Sequence, residues 1–222
     1  MESQVVLHNG FWWTRDDGED GVTETTCPDN SCCRDTTVKY PDTPRLISAY
    51  VPKRGVMVQA GGNVGFYTKQ YAEMFETVYT FEPIATLFYC LTRNVQNENV
   101  FKYQACLGDS RECVDLGRKV YNHAGSQNVT GKGRTPTLMI DDLGLPGCDL
   151  IQLDIEGYEF HALKGGIQTI RAFKPVIVIE SACWFERYGT SLGEIEQWLI
   201  DIGYAFVVEL NGDRIYKVHE GA

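Results

Sequence analysis

The chain has 222 residues, 43% of them hydrophobic, enough to bury the core of one α/β domain without calling for a second. Its formal charge is −10, from 20 Lys and Arg against 30 Asp and Glu, so its own field opposes nucleic acid, anionic membranes and polyanionic substrates as partners. The start, MESQVVLHNGFWW, has neither the basic residues nor the long apolar run of a signal peptide, and no apolar run approaches membrane-spanning length; this reads as a soluble, cytoplasmic protein.

Residues 1–50 are polar, acidic and rich in turn formers, with Trp12, Trp13 and the run RLISAYV as apolar anchors. They are expected to form a cap or lid, with Tyr50 among its large apolar groups, on a domain that spans residues 51–222. Of the eight cysteines, Cys90, Cys106, Cys113, Cys148 and Cys183 are scattered singly through expected core elements, as reduced small hydrophobes are. Cys27, Cys32 and Cys33 cluster in CPDNSCC, but adjacent cysteines seldom share one ion and no C-x-x-C pair exists, so a reactive or incidental loop cluster is favoured over zinc.

At VMVQAGGNVG, residues 56–65, an apolar run breaks into a glycine-dense turn, and the YTKQYAEMF that follows has helical spacing. Gly61, Gly62 and Gly65 let the backbone reverse and approach a ligand, and the helix behind aims free N–H groups at the turn. The next apolar run, TVYTFEP, ends in Glu82, 21 residues beyond Gly61 (82 − 61). An acid at that spacing, on the tip of the next strand, is where a nucleoside-binding α/β unit holds a ribose diol; the plain alternative is an ordinary strand-end acid.

Strands and helices then alternate: a helix over 84–96, strand VFKYQAC, strand DLIQLDI, a helix over 157–172, strand PVIVIE and a helix over 191–202. Near-continuous apolar strands separated by amphipathic helices predict a doubly wound, mostly parallel sheet. Between Cys106 and Asp141 the pattern is irregular. ECVDL has the makings of a strand, whereas YNHAGSQNVTGKGRTP reads as a polar, glycine-rich loop facing substrate. At the end, YAFVVEL and RIYKV flank Asn211-Gly212-Asp213, a hairpin signal that makes the last strand antiparallel.

QAGGNVGFYT, YTFEP, ACLGD, LMIDDL, LIQLDIEGYEFHALKGG and PVIVIE resemble, in order and spacing, the FkbM-type S-adenosylmethionine-dependent methyltransferases over about residues 55–182. The most specific piece is D-x-E-G-x-E at Asp154, Glu156, Gly157 and Glu159, followed by Leu163-Lys164-Gly165. The resemblance implies a class I methyltransferase (Rossmann-like) fold, with S-adenosylmethionine as cofactor and methyl transfer to a hydroxyl of a small metabolite, sugar or glycan precursor. It implies that Gly61, Asn63 and Gly65 cradle the methionine end of the cofactor and Glu82 takes the ribose. Asp109 would sit at the adenine edge with Cys106 nearby; capping a turn is the alternative for Asp109.

Two departures stand out: Gln59 where the family usually has an acid, and Gln152 where it usually has Lys. Both lie two residues before a strand-tip landmark, Gly61 and Asp154, so the two amides are expected to meet on neighbouring strands in place of a buried ion pair. For the chemistry, Asp154 and Glu180 end two apolar strands and so face the ligand crevice, where each raises the other's pKa and favours one as a base. Glu156 is the next candidate, and Glu159 is mostly structural, since the dipole of a helix stabilises acids in its first turn. Asp154 and Glu180, with Ser181 as a further candidate, occupy strand-end positions that resemble those at which catechol-type O-methyltransferases hold magnesium, which the resemblance makes a second candidate cofactor. His123 and His161 are the imidazole candidates, more simply read as a solvated loop residue and a helix-face residue. An RNA ribose or cap methyltransferase, an NAD-dependent oxidoreductase and a non-catalytic cofactor-binding module are the alternatives; the charge disfavours the first, and D-x-E-G-x-E and the hairpin have no role in the second.

Overall fold

The apolar runs become strands in the computed structural model, which describes residues 5–8, 10–14, 40–118, 127–181 and 184–219. A hairpin of β1 (Val5–His8) and β2 (Phe11–Thr14) is followed by α1 (Thr43–Ser48). Then come β3 (Val56–Ala60), α2 (Phe66–Met74), β4 (Thr77–Phe81), α3 (Ala85–Asn94) and β5 (Val100–Tyr103). The middle of the chain forms β6 (Cys106–Leu107), β7 (Cys113–Arg118), β8 (Gln127–Lys132) and β9 (Thr135–Leu138). The last part forms β10 (Leu150–Leu153), α4 (Glu159–Lys164), α5 (Ile167–Phe173), β11 (Val176–Glu180), α6 (Leu192–Asp201), β12 (Tyr204–Leu210) and β13 (Asp213–Val218).

Seven strands make the main sheet, in the order β5-β4-β3-β10-β11-β13-β12. Neighbours are parallel except that β13 runs antiparallel to both β11 and β12, so the hairpin expected from Asn211-Gly212-Asp213 inserts its second strand inside the sheet. All of β3 and β10 is buried, which is why neither shows an apolar–polar alternation. One face carries Val58, Ala60, Ile151, Leu153, Ile177 and Ile179 against α4, α5 and α6. The opposite face carries Met57, Leu150 and Val178 against Tyr71 of α2, Leu91 of α3 and Ile47 of α1.

Two expectations are corrected. The single helix over 157–172 is two short ones, because at Gly165 a Cβ would come within 1.9 Å of the Gly108 carbonyl oxygen, and the chain turns there to let the two backbones touch. The irregular stretch after Cys106 is largely a second, four-stranded sheet in the order β6-β9-β7-β8. Its strands are short and mostly half-exposed, and glycines at 131 and 133 and Pro136 hide their period.

The β1–β2 hairpin seats on α3. The Trp12 N–H donates to Asn94 Oδ1 at 2.7 Å, and Asn94 Nδ2 donates to the carbonyls of Trp12 at 2.8 Å and Val64 at 2.7 Å. Tyr50 packs with the cluster on the α2 side. Cys27, Cys32, Cys33, His123 and Cys183 lie outside the described residues. Among the described residues no helix is long and apolar enough to cross a membrane.

Candidate active site

The carboxyl ends of β3, β4 and β10 meet at a junction that only glycine permits. Gly61 has φ +87°, and a Cβ there would lie 2.1 Å from the Asp154 carbonyl oxygen. The turns after β3 and β10 are thus in backbone contact, with the Asp154 N–H donating to Ala60 O at 3.1 Å, and the N–H groups of Gly61 and Gly62 tie the β3 turn to β4 by donating to Phe81 O at 3.1 and 2.9 Å. Asn63, also left-handed at φ 47°, accepts the Val64 N–H on Oδ1 at 2.7 Å, and Gly65 caps α2.

Glu82, 3% exposed, holds this turn from the tip of β4. Its Oε2 accepts the Asn63 N–H and its Oε1 the Ile84 N–H, both at 2.8 Å. Burial pushes its pKa up to about 7 against the pull of these two bonds. Each oxygen retains a second lone pair for a ligand hydroxyl.

After β10 the chain makes the D-x-E-G turn with Glu156 at φ 59° and Gly157 at φ 100°. A Cβ on Gly157 would lie 2.5 Å from Trp184 O. Glu159 is fully buried beneath the turn, its Oε1 accepting the N–H groups of Ile155 at 2.9 Å and Gly157 at 3.3 Å, and burial lifts its pKa to about 7.

Asp154 opens to the cleft, while the protein behind its carboxyl and the charge of Glu156 raise its pKa. Glu180 is raised further, first by the charge of Asp154 and then by burial. The sequence reading missed a third member, Asp213, which is the Cα partner of Glu180 across the β11–β13 pair. Burial and Asp154 lift Asp213 to about 8. The N-G-D turn signal located Asp213, but only the insertion of β13 places it beside Glu180.

Gly61, Glu82, Cys106, Asp154 and Glu156 line one cleft of about 500 Å³, with Ile84 and Tyr158, two residues the sequence did not single out. Burial holds the Cys106 thiol neutral, with its pKa up at about 12. Asp109 instead pairs with His161, Oδ2 to Nδ1 at 2.9 Å. The Ser181 N–H donates to Gly212 O at 2.7 Å. Among the described residues no group of three or more His, Cys, Asp or Glu side chains is arranged to hold a metal ion.

Gln59 and Gln152 are Cα partners on β3 and β10, as their matching depth predicted. Gln59 Oε1 accepts the hydroxyls of Thr68 on α2 at 2.7 Å and Thr80 on β4 at 3.1 Å, so its amide oxygen is held by the helix and strand that follow it. The cleft suits S-adenosylmethionine in other respects, with a glycine turn that permits close approach, a two-oxygen acceptor at Glu82 and apolar walls at Ile84, Ala105 and Leu107.

Strand order, the reversed and inserted β13, the glycine turn and the acid at the tip of β4 together define a class I methyltransferase fold. Solved structures agree. A precorrin-6y C5,15-methyltransferase from Geobacter metallireducens GS-15 superposes with TM-score 0.51 at 12% identity, covering 81% of this chain and 88% of that one. A ribosomal protein L11 methylase from Lactobacillus delbrueckii subsp. bulgaricus gives 0.50 at 11%, covering 82% and 79%. The methyltransferase FkbM domain matches residues 59–206, and the chain belongs to this family of S-adenosylmethionine-dependent methyltransferases. A methyltransferase FkbM from Methylobacillus flagellatus KT superposes with TM-score 0.50 at 15% identity over 83% of this chain; the chain spans about half of that protein, 53%. No curated protein matches the sequence.

Proposed function

We propose that this chain transfers the methyl group of S-adenosylmethionine to a hydroxyl oxygen of a small, sugar-like acceptor. The carboxyl groups of Asp154, Glu180 and Asp213, gathered at three strand tips where each is raised above its ordinary pKa, carry this reading, because a carboxylate made more basic by its surroundings is suited to accept a hydroxyl proton. Gly61, Asn63 and Gly65 cradle the methionine end, Glu82 takes the ribose diol, and Cys106 stands at the adenine edge, with Asp109 held outside the cleft lining by His161. When bound, the cofactor supplies a methyl already activated by the sulfonium. Asp154 orients the acceptor hydroxyl and takes its proton as the new C–O bond forms and the C–S bond breaks, while Glu156 and Glu180 set the charge of Asp154. The cap expected over residues 1–50 lies partly outside the described residues; its described part from Tyr40 onward covers the acceptor side. Supporting this, the Tyr67 hydroxyl donates to Tyr40 O at 2.9 Å, and Nδ2 of Asn211, two residues before Asp213 in the chain, donates to Thr43 Oγ1 at 3.0 Å.

Asp154→Asn is expected to leave S-adenosylhomocysteine binding intact and lower turnover on a panel of sugars and sugar nucleotides by roughly a hundredfold. Turnover preserved within threefold would remove Asp154 from the chemistry. Magnesium assistance at Asp154 and Glu180 is tested with the same assay: activity lost to a chelator and restored by magnesium supports it, and indifference to chelator discards it.

A further inference from the structure

A second cleft adjoins the cofactor cleft, between β8, the first turn of α4 and the short helical turn at Phe185–Tyr188, and spans about 790 Å³ of space open to solvent. Tyr158 and Val129 line both clefts, so the two are adjacent. Its walls are fixed. The Tyr188 hydroxyl donates to Val129 O at 3.2 Å, tying the helical turn to β8. The Tyr158 ring lies flat on His161, centroids 4.3 Å apart at 14°, with Tyr188 edge-on to Tyr158 at 4.9 Å.

The charge of this cleft is opposite to that of its neighbour. The strand tips carry Glu82, Asp154, Glu156, Glu180 and Asp213, on a chain of net charge −10. Among the described residues that line the second cleft, those able to carry positive charge are Arg187 and His161, and none is Asp or Glu. The Arg187 guanidinium lies 5.1 Å from the centroid of the Trp184 ring, which holds it at the rim. His161 commits Nδ1 to Asp109, leaving Nε2 for the cleft. Burial pushes the pKa of Tyr158 up to about 12 and that of Tyr188 above its ordinary value, so both phenols stay neutral and repel no anion.

We infer that the second cleft binds an anionic group of the acceptor, a carboxylate or a phosphate, remote from the hydroxyl that is methylated. This rests on the methyl-transfer reading. Placed at the strand tips, such an anion would face several carboxylates; placed in the second cleft, it meets the Arg187 guanidinium. The polarity of the two clefts therefore admits the acceptor in one orientation, with its hydroxyl at Asp154.

The test is a titration of the protein, saturated with S-adenosylhomocysteine and isotopically labelled for NMR, with inorganic phosphate, glucuronate and glucose. Phosphate or glucuronate is expected to shift the resonances of residues 128–131, His161 and Arg187, with glucose at least tenfold weaker. Arg187→Ala should weaken the anion about tenfold without altering S-adenosylhomocysteine affinity, and Arg187→Lys should recover part of the loss. Binding of phosphate alone identifies a phosphorylated acceptor, and binding of glucuronate alone an acidic sugar; either supports the inference. It is overturned if neither anion shifts these residues, if glucose binds as well as the anions, or if Arg187→Ala leaves anion affinity within twofold. Anion binding is also read without S-adenosylhomocysteine. A protein that binds phosphate here but not S-adenosylhomocysteine overturns the methyltransferase reading, and with it the role given to the anion.

Discussion

Glu82→Ala removes an acid that does two things, holding the glycine turn through the Asn63 and Ile84 N–H groups and offering its remaining lone pairs to a ribose. S-adenosylhomocysteine affinity is expected to fall by about 2 kcal/mol or more, the scale of a lost charge-assisted pair of hydrogen bonds. Calorimetry measures it, and a change within twofold would reduce Glu82 to a turn residue. Spacing from Gly61 sufficed to find Glu82, because strand, turn and helix lengths in such a unit vary little. The same local logic could not find the partner of Asp109. His161 is 52 residues away in the chain, and the two meet only because Gly165 lets the α4–α5 junction rest on Gly108.

Between elements, the contact of the β3 and β10 turns leaves no room for a methyl group. Gly61→Ala requires displacement of the Asp154 backbone in addition to a strained positive φ, and is expected to cost more than about 3 kcal/mol in denaturant melts. A loss under about 1 kcal/mol would mean that the two turns are free to separate. The Gln59–Gln152 contact permits a sharper measurement. Both residues are buried, at 1% and 3% exposure, and Gln152 Oε1 has no hydrogen-bond partner. Gln59→Glu and Gln152→Lys should each destabilise the fold by introducing an uncompensated buried charge. Together they should recover part of that loss, with a coupling of at least about 1 kcal/mol. Strictly additive effects in the four melts would show that the side chains do not interact despite their register.

At the scale of the whole molecule, crowded acids make folding depend on pH in a direction unlike that of salt-bridged carboxylates. Glu82 and Glu159 rise from 4.5 to about 7 on folding, and Asp213 from 3.8 to about 8. Between the lower and upper values the unfolded chain has released protons that the folded chain still holds, so stability falls as pH rises through that window. Glu82 and Glu159, both buried, are expected to contribute roughly 3 kcal/mol each to the decline. Urea melts at pH 5.5 and 8 and constant ionic strength should show the lower midpoint at pH 8, with a shallower pH slope in Glu159→Gln. Stability that rises across the window would contradict the burial of these acids. The same crowding makes the strand tips a poor seat for an anion, in contrast to the cleft at Arg187.

By itself the sequence determined what local backbone constraints dictate: the glycine turn after VMVQA, the doubly buried strands, the acids at their tips and the reversal at Asn211-Gly212-Asp213. Each is written in a few adjacent residues, since a positive φ favours glycine or asparagine and a strand covered on both faces needs an unbroken apolar run. Only the tertiary structure decided which tips share charge and which loops become strands. The insertion of β13 sets Asp213 opposite Glu180, and β7 and β8 pair with each other through side chains too exposed to leave a hydrophobic period. Those contacts join residues far apart in the chain. Their energy comes from closing the sheets, and no window of neighbouring residues records it.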